Sequence, residues 1–272
     1  MLLTVQEHDA YCYTGGKPFD AALPTAVFIH GAQNDHSVWI LQTRYFAHHG
    51  FNVLAVDLPG HGRSKGAALT TVEAMADWLL ALLDAAGVPQ AILIGHSMGS
   101  LIALEALFRA PARVAKIALV GTAYPMKVSE ALLDASLNDE QKAFDMVNIW
   151  SHSSIAQKPS CPGPGFYAMG GAMRLKQRIA KINPDHVFHT DFQACDAYAH
   201  GEQAAGSVKC PALFLLGERD LMTPAKATAT LISAIPHGKV VRIEGSGHEL
   251  MAEQPDSVLD ALFSFAQLPD RQ

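Results

Sequence analysis

A serine hydroxyl is too weakly acidic to attack a carbonyl unaided, so a serine that does chemistry needs a histidine to take its proton and a carboxylate to hold that histidine. Ser97 has the setting of such a nucleophile. It lies at the centre of Gly95-His96-Ser97-Met98-Gly99. Before it runs Ala91-Ile92-Leu93-Ile94, with the branched residues of a buried strand. After it runs Leu101 to Leu107, rich in helix formers. Strand, sharp turn and helix form the context that a nucleophile elbow requires. Such a turn strains its central residue, and Gly95 and Gly99, lacking a Cβ, leave room on either side. It lifts the hydroxyl clear of the strand end. It also sets the Met98 backbone N–H at the start of a helix, free to bind an anion.

The histidine candidate is His248, which follows the turn Gly245-Ser246-Gly247. Two carboxylates compete to serve it. Glu244 is only four residues away in the chain, at the end of the same predicted strand. Asp220 ends the preceding strand, and the Gly-rich turn after Glu244 redirects the chain toward that neighbour. Asp220 is therefore expected to reach the imidazole Nδ1, which makes Ser97, Asp220 and His248 the catalytic candidates. A tetrahedral intermediate further needs N–H donors for its oxyanion. Met98 supplies one, and Ala32, in the loop after His30-Gly31, is expected to supply the other.

These residues need a frame that brings strand ends together. Leu2 to Tyr13 alternates loosely and ends at Gly15-Gly16, which predicts a β-hairpin with a polar turn. Buried strands are predicted at Ala26 to His30, Asn52 to Val56, Ala91 to Ile94, Val114 to Val120, Ala212 to Leu216 and Lys239 to Ile243. Between them fall helices from about His36 to His49, with Asn34 or Asp35 as cap, from Val72 to Ala86 before Gly87, from Thr223-Pro224 towards Pro236, and from Pro255 to Ala266. Strands separated by single helices pair in parallel through right-handed crossovers, and ligands bind outside their carboxyl ends. Gly31, Asp57, Ser97 and Gly121 then share one rim.

The rhythm stops between residues 122 and 207, so the expected organisation is a core of residues 1–121 and 208–272 with residues 122–207 as a helical cap over the rim. Within it Leu175, Ile179 and Ile182 suggest one amphipathic helix. Trp150, Met169 and Met173 are candidates to line an apolar substrate pocket, methionine being flexible filler, although each also suits the core of a small helical unit. Arg174, Arg178 and Lys181 fall at helical spacing and could attract an anion, although a solvated face is the favoured reading.

Composition narrows the partners. The chain has 272 residues, 49% apolar and 17% charged, and a net charge of −6. A sizeable core is available, and the basic stripe that nucleic acid calls for is missing. No apolar run is long enough to span a bilayer. The N-terminus turns polar too soon for a secretory signal, so a soluble, cytoplasmic protein acting on a small molecule is expected. The cysteines at 12, 161, 195 and 210 lack metal-ligand spacing and read as reduced thiols, a Cys161–Cys195 pairing being the less favoured alternative. The segment Asp185 to Asp191, with His186 and His189, matches no ligand pattern and reads as an ordinary polar stretch. No metal and no cofactor are called for.

Taken together, His30-Gly31, Asp57-Leu58-Pro59-Gly60-His61-Gly62-Arg63-Ser64, Gly95-His96-Ser97-Met98-Gly99, Gly217-Glu218-Arg219-Asp220 and Gly247-His248 resemble the α/β-hydrolase superfamily, in its capped branch of small carboxylesterases, carbon–carbon bond hydrolases and haloperoxidase-type esterases. The resemblance implies an α/β fold with a mostly parallel central sheet flanked by helices. It also implies the chain order nucleophile, acid, histidine. The segment from Asp57 to Ser64 resembles a structural loop with no catalytic step. Relatives that open epoxides or remove halides carry Asp at the elbow, where this chain has Ser97. The expected activity is a serine hydrolase cleaving esters of small to medium apolar acids. The alternatives are a carbon–carbon bond hydrolase of vinylogous diketone acids, with Arg174 or Arg178 beside the substrate carboxylate, and a slow-turnover ligand sensor.

Overall fold

The computed structural model describes residues 1–153 and 164–269. Its strands are β1 (Leu2–Val5), β2 (His8–Tyr13), β3 (Thr25–Ile29), β4 (Asn52–Val56), β5 (Ala91–His96), β6 (Val114–Val120), β7 (Ala212–Gly217) and β8 (Lys239–Ile243). Helices α1 (Ile40–His48), α2 (Val72–Ala85) and α3 (Met98–Arg109) fall between the earlier strands. Then come α4 (Glu130–Asn138), α5 (Glu140–Ser151), α6 (Pro164–Ile182), α7 (Val187–Ala197) and α8 (Gly201–Ser207), followed by α9 (Ala229–Ala234), α10 (Leu250–Glu253) and α11 (Pro255–Ala266).

The strands form one sheet in the order β1-β2-β4-β3-β5-β6-β7-β8. β1 and β2 pair antiparallel, β2 joins β4 antiparallel, and every later pairing is parallel. Period-two side-chain alternation makes the three layers. Val27, Ile29, Leu54, Leu93 and Leu119 face Leu79, Leu101 and Leu104 of α2 and α3. Ala26, Phe28, Val53, Ile94 and Val120 face Trp39, Phe46 of α1 and Val258 and Leu262 of α11. With both faces covered, β3 to β7 are near-continuous apolar runs, which is why the sequence placed them within a residue or two. Among the described residues, no helix is long and apolar enough to cross a membrane.

Two helices start differently from expectation. His36–Trp39 is a 3₁₀ turn ahead of α1, capped by Asp35, whose carboxylate accepts from Ser37 N. The run after Pro224 also opens as a 3₁₀ turn, Ala225–Thr228, and α9 stops at Ala234. Pro236 disfavours helical backbone in the residue before it.

The five helices described between β6 and β7 lie where the strand rhythm fails. Leu132, Phe144, Val147, Phe188 and Phe192 make a cluster of their own. Ala194, Cys195, Tyr198, Ala204 and Ala205 instead join the cluster beneath the sheet. The apolar face expected on α6 is corrected at one end. Ile179 is buried, Ile182 is 58% exposed, and the other buried side chain described on α6 is Lys176, one turn before Ile179, at 1%.

Candidate active site

The glycines around Ser97 are dictated by close approach. A Cβ on Gly95 would run into the Gly99 carbonyl, and one on Gly99 would stand 2.6 Å from the His30 carbonyl oxygen. α3 can therefore begin hard against the end of β3. Ser97, its N-cap, takes φ 53° and ψ −121°, a left-handed φ that a non-glycine residue adopts only when its surroundings impose it.

The structure brings Asp220, and not Glu244, to His248. His248 Nδ1 donates to Asp220 Oδ2 at 2.8 Å, while Glu244 is exposed. Asp220 is itself held. Its Oδ1 accepts from Met222 N and Thr223 N, both at 2.8 Å, and its Oδ2 accepts from Thr223 Oγ1 at 2.7 Å. Burial alone would raise this carboxyl, but the charge of His248 and these hydrogen bonds bring it down to about 2. For His248, burial works against the charged form and is outweighed by the charge and hydrogen bond of Asp220, so its pKa is raised. That leaves Nε2 as the ring nitrogen available for chemistry.

The loop carrying His248 is fixed by groups the sequence did not single out. The Ser151 carbonyl, at the end of α5, accepts from His248 N at 2.7 Å and Glu249 N at 3.1 Å. Glu253 accepts from Gly247 N and Ser153 N, both at 2.8 Å. A side chain on Gly247 would meet the Ser151 carbonyl at 2.6 Å. His96 Nε2 donates to the His248 carbonyl at 2.9 Å. Burial and the neighbouring His248 depress its pKa to about 4, so the ring is neutral.

The loop after β3 is anchored just as firmly. His30 Nδ1 donates to the Gly31 carbonyl at 2.8 Å and its Nε2 accepts from Leu58 N at 3.1 Å. That requires a neutral ring, and burial together with nearby His61 lowers its pKa to about 4. Beyond Ala32, Gln33 adopts φ 51°, and its N–H donates to Asp191 Oδ2 at 2.9 Å. The same oxygen lies 2.9 Å from His61 Nε2, and His61 Nδ1 lies 3.0 Å from the Pro59 carbonyl. Both nitrogens of His61 face acceptors, so only the imidazolium satisfies both. Burial opposes that charge, but Asp191 overrides it and raises the pKa. Asp191, expected to belong to an ordinary polar stretch, is instead a fully buried tie between α7 and the loop of Ala32. The loop from Asp57 is structural in the same sense, since the Asp57 carboxylate accepts from His36 N and Arg63 N at 2.8 Å.

Ser97 and Ala32 line a cavity of about 390 Å³ with Met126, Val128, Leu132, Trp150, Phe192, Leu221 and Met222. Of the pocket residues expected in the inserted helices, Trp150 lies on this cavity. Met169 and Met173 do not; both sit on α6, where Met173 packs against the insertion's own cluster. A second, small cavity also touches Ser97 and Ala32, together with His248, Glu249 and Lys176. Arg174 and Arg178 reach neither cavity. They lie with Lys181 along an open outer groove, and Arg178 is ion-paired with Asp35. Lys176 went unnoticed because its neighbours Arg174 and Arg178 make the whole stretch read as one solvated basic face.

Cys195 is a buried free thiol, raised by burial, and Cys161 lies outside the described residues. Asp35, His36 and Asp57 cluster closely enough to hold a cation, and their polar atoms are engaged with one another and with the backbone.

Known proteins share this architecture. A hydrolase of (E)-2-((N-methylformamido)methylene)succinate from Acinetobacter baylyi is 26% identical over 87% of this chain and 88% of its own length. The dihydrolipoyllysine-residue acetyltransferase component of an acetoin cleaving system from Pseudomonas putida is 37% identical over 88% of this chain, which spans 62% of that longer protein. The solved enol-lactonase of Burkholderia xenovorans superposes with a TM-score of 0.84 over 98% of this chain and 100% of its own, at 20% identity. Residues 24–255 match the family described as alpha/beta hydrolase fold. With the parallel sheet in place and with Ser97, Asp220 and His248 beyond the ends of β5, β7 and β8, the chain belongs to the α/β hydrolase fold family.

Proposed function

We propose that the chain is a serine hydrolase that cleaves carboxylic esters of small to medium apolar acids through an acyl-enzyme. The observation that carries this reading is the 2.8 Å contact of His248 Nδ1 with Asp220 Oδ2 beside a serine held at a left-handed elbow. Asp220 fixes the Nδ1–H tautomer, which leaves Nε2 to take the Ser97 proton as Oγ attacks the ester carbonyl. The developing oxyanion is met by the backbone N–H groups of Ala32 and Met98. His248 then returns its proton to the leaving alcohol, and water, activated by the same ring, releases the acid. Residues 122–207 act as the cap, with Trp150 on the wall of an apolar cavity that suits an aliphatic or aryl group.

The test is a fluorophosphonate probe, which should add mass to Ser97 alone, combined with hydrolysis of 4-nitrophenyl butyrate. Ser97→Ala should abolish both. Labelling that persists in this variant would move the nucleophile elsewhere.

A further inference from the structure

The small cavity on the other side of Ser97 has a different character from the apolar one. Its volume is about 20 Å³, and its lining includes Asn34, His96, Ser151, Lys176, His248 and Glu249. Four buried polar atoms on that lining have no hydrogen-bond partner among the described residues: Lys176 Nζ, Asn34 Oδ1, Ser151 Oγ and His96 Nδ1. Lys176 stands out among them. Its side chain is 1% exposed, and its one ion pair among the described residues is with Glu249 Oε1 at 3.5 Å. An ammonium carries three donors, and burying them without acceptors is unfavourable unless something else completes them.

Lys176 is also held in place. Its carbonyl accepts from Gln33 Nε2 at 3.1 Å, so this turn of α6 is tied to the same loop that presents Ala32. Burial would raise the Glu249 carboxyl, but the charge of Lys176 and the neighbouring histidines brings it down to about 2. Glu249 is thus a standing anion 3.5 Å from the ammonium, which makes no hydrogen bond to it. On the same lining the Ser151 hydroxyl offers a further donor, whereas Asn34 Oδ1 and, with Nε2 carrying the proton, His96 Nδ1 are acceptors. The ammonium and the hydroxyl together suit a compact group that accepts. The cavity is too small for a phosphate and has the scale of the end of a carboxylate. Both cavities share Ala32, Ser97, Phe192 and Met222, so one substrate can lie across the serine with an arm in each.

We propose that this second cavity is a subsite for a free carboxylate carried by the substrate, read by Lys176, so that the preferred ester has an acid group a few atoms from its scissile carbonyl. The inference rests on the serine-hydrolase reading of Ser97 and adds the substrate class to it. Arg174 and Arg178, the cations favoured by spacing, play no part in it.

The experiment compares two 4-nitrophenyl esters that differ only at the end of the acyl chain, the hydrogen succinate and the butyrate, with spontaneous hydrolysis subtracted. The wild-type chain should favour the hydrogen succinate in kcat/KM by about ten- to a hundredfold, the range that one charged hydrogen bond sets. Lys176→Met should collapse that ratio toward one, chiefly through KM for the acid-bearing ester. Because Lys176→Met strands Glu249 and risks misfolding, Lys176→Met/Glu249→Gln removes the pair as a unit and should collapse the ratio equally. A neutral third ester, the 4-nitrophenyl succinamate, should behave like the butyrate. A wild-type preference for the butyrate, or a ratio that survives in a folded Lys176 variant, would overturn the carboxylate subsite while leaving the hydrolase reading intact. If neither ester turns over and Ser97 resists the fluorophosphonate, the hydrolase reading fails first and takes this inference with it.

Discussion

Both oxygens of Asp220 are occupied, by two backbone N–H groups, one hydroxyl and the imidazole. An Asn at this position would keep the shape but favour the wrong tautomer of His248. Asp220→Asn should therefore lower kcat by roughly 10³–10⁴, whereas Glu244→Gln, at an exposed position, should cost about tenfold or less. Measuring kcat for both on one ester, with circular dichroism to verify folding, decides between the acids; the reverse ranking would reassign the role to Glu244. The pH profile carries a second test. His248 must be neutral to accept the proton, and its pKa is raised above the ordinary 6.5. Activity should therefore fall on the acid side through an apparent pKa above 6.5, and Asp220→Asn should shift the remaining limb downward. A limb that stays put would mean that another group governs it. At this scale the sequence pointed to Ser97, Asp220 and His248 as candidates, because strand ends and glycine turns mark them locally. It could not carry Lys176 or Asp191, whose burial arises only when α6 and α7 close over the loop after β3.

Two ties between elements hold the loop of Ala32 and the loop of His248 to the helices between β6 and β7. The first is Asp191 on α7, which receives Gln33 N–H and the His61 imidazolium. Because that pairing raises the folded-state pKa of His61, its stabilisation is fully present below pH 6.5 and is lost as pH rises through the folded value. Asp191→Asn should thus cost about 3 kcal/mol at pH 6, in the range for breaking a buried pair, and clearly less at pH 9. Urea unfolding at the two pH values checks the sign, and an equal cost at both would show that His61 does not change its charge between them. The second tie is the end of α5, where Ser151 holds His248 and, one residue earlier, Trp150 lines the large cavity. Trp150→Ala should change the relative kcat/KM across acyl lengths, since a methylene in such a pocket is worth about 1–3 kcal/mol. Met169→Ala, off the cavity, should scale all substrates alike. The elements themselves were legible wherever both faces of a strand are buried or a Gly or Pro marks an end. Which methionines face substrate was not, because a single helix face reads the same whether it covers a pocket or a neighbouring helix.

The whole molecule divides less cleanly than its strand rhythm suggests. Loss of that rhythm placed the insertion at residues 122–207, but its apolar side chains fall into two groups. Those of α4, α5 and the first half of α7 pack mostly on one another, with Leu132, Phe144, Val147, Phe188 and Phe192 as their centre. Cys195, Tyr198, Ala204 and Ala205, from the end of α7 through α8, belong to the cluster under the sheet, alongside Leu101 and Leu104 of α3. Cooperative units follow contiguous packing rather than chain position. Tyr198 strengthens this assignment, since its hydroxyl donates to the buried Glu105 of α3 at 2.9 Å. The expectation is that α8 opens only with the sheet, while α4 and α5 open at a lower free energy that leaves the strands intact. Native-state hydrogen exchange followed by mass spectrometry should then show peptides from Gly201–Ser207 protected as strongly as those of α3. Peptides from Glu130–Asn138 and Glu140–Ser151 should exchange earlier. A fluorophosphonate adduct on Ser97, which fills the cavity lined by Leu132 and Trp150, should slow exchange in α4 and α5 and leave α8 unchanged. Equal protection of all three helices in the free protein would mean that the insertion and the core open as one unit, and that substrate enters without a separate motion of α4 and α5.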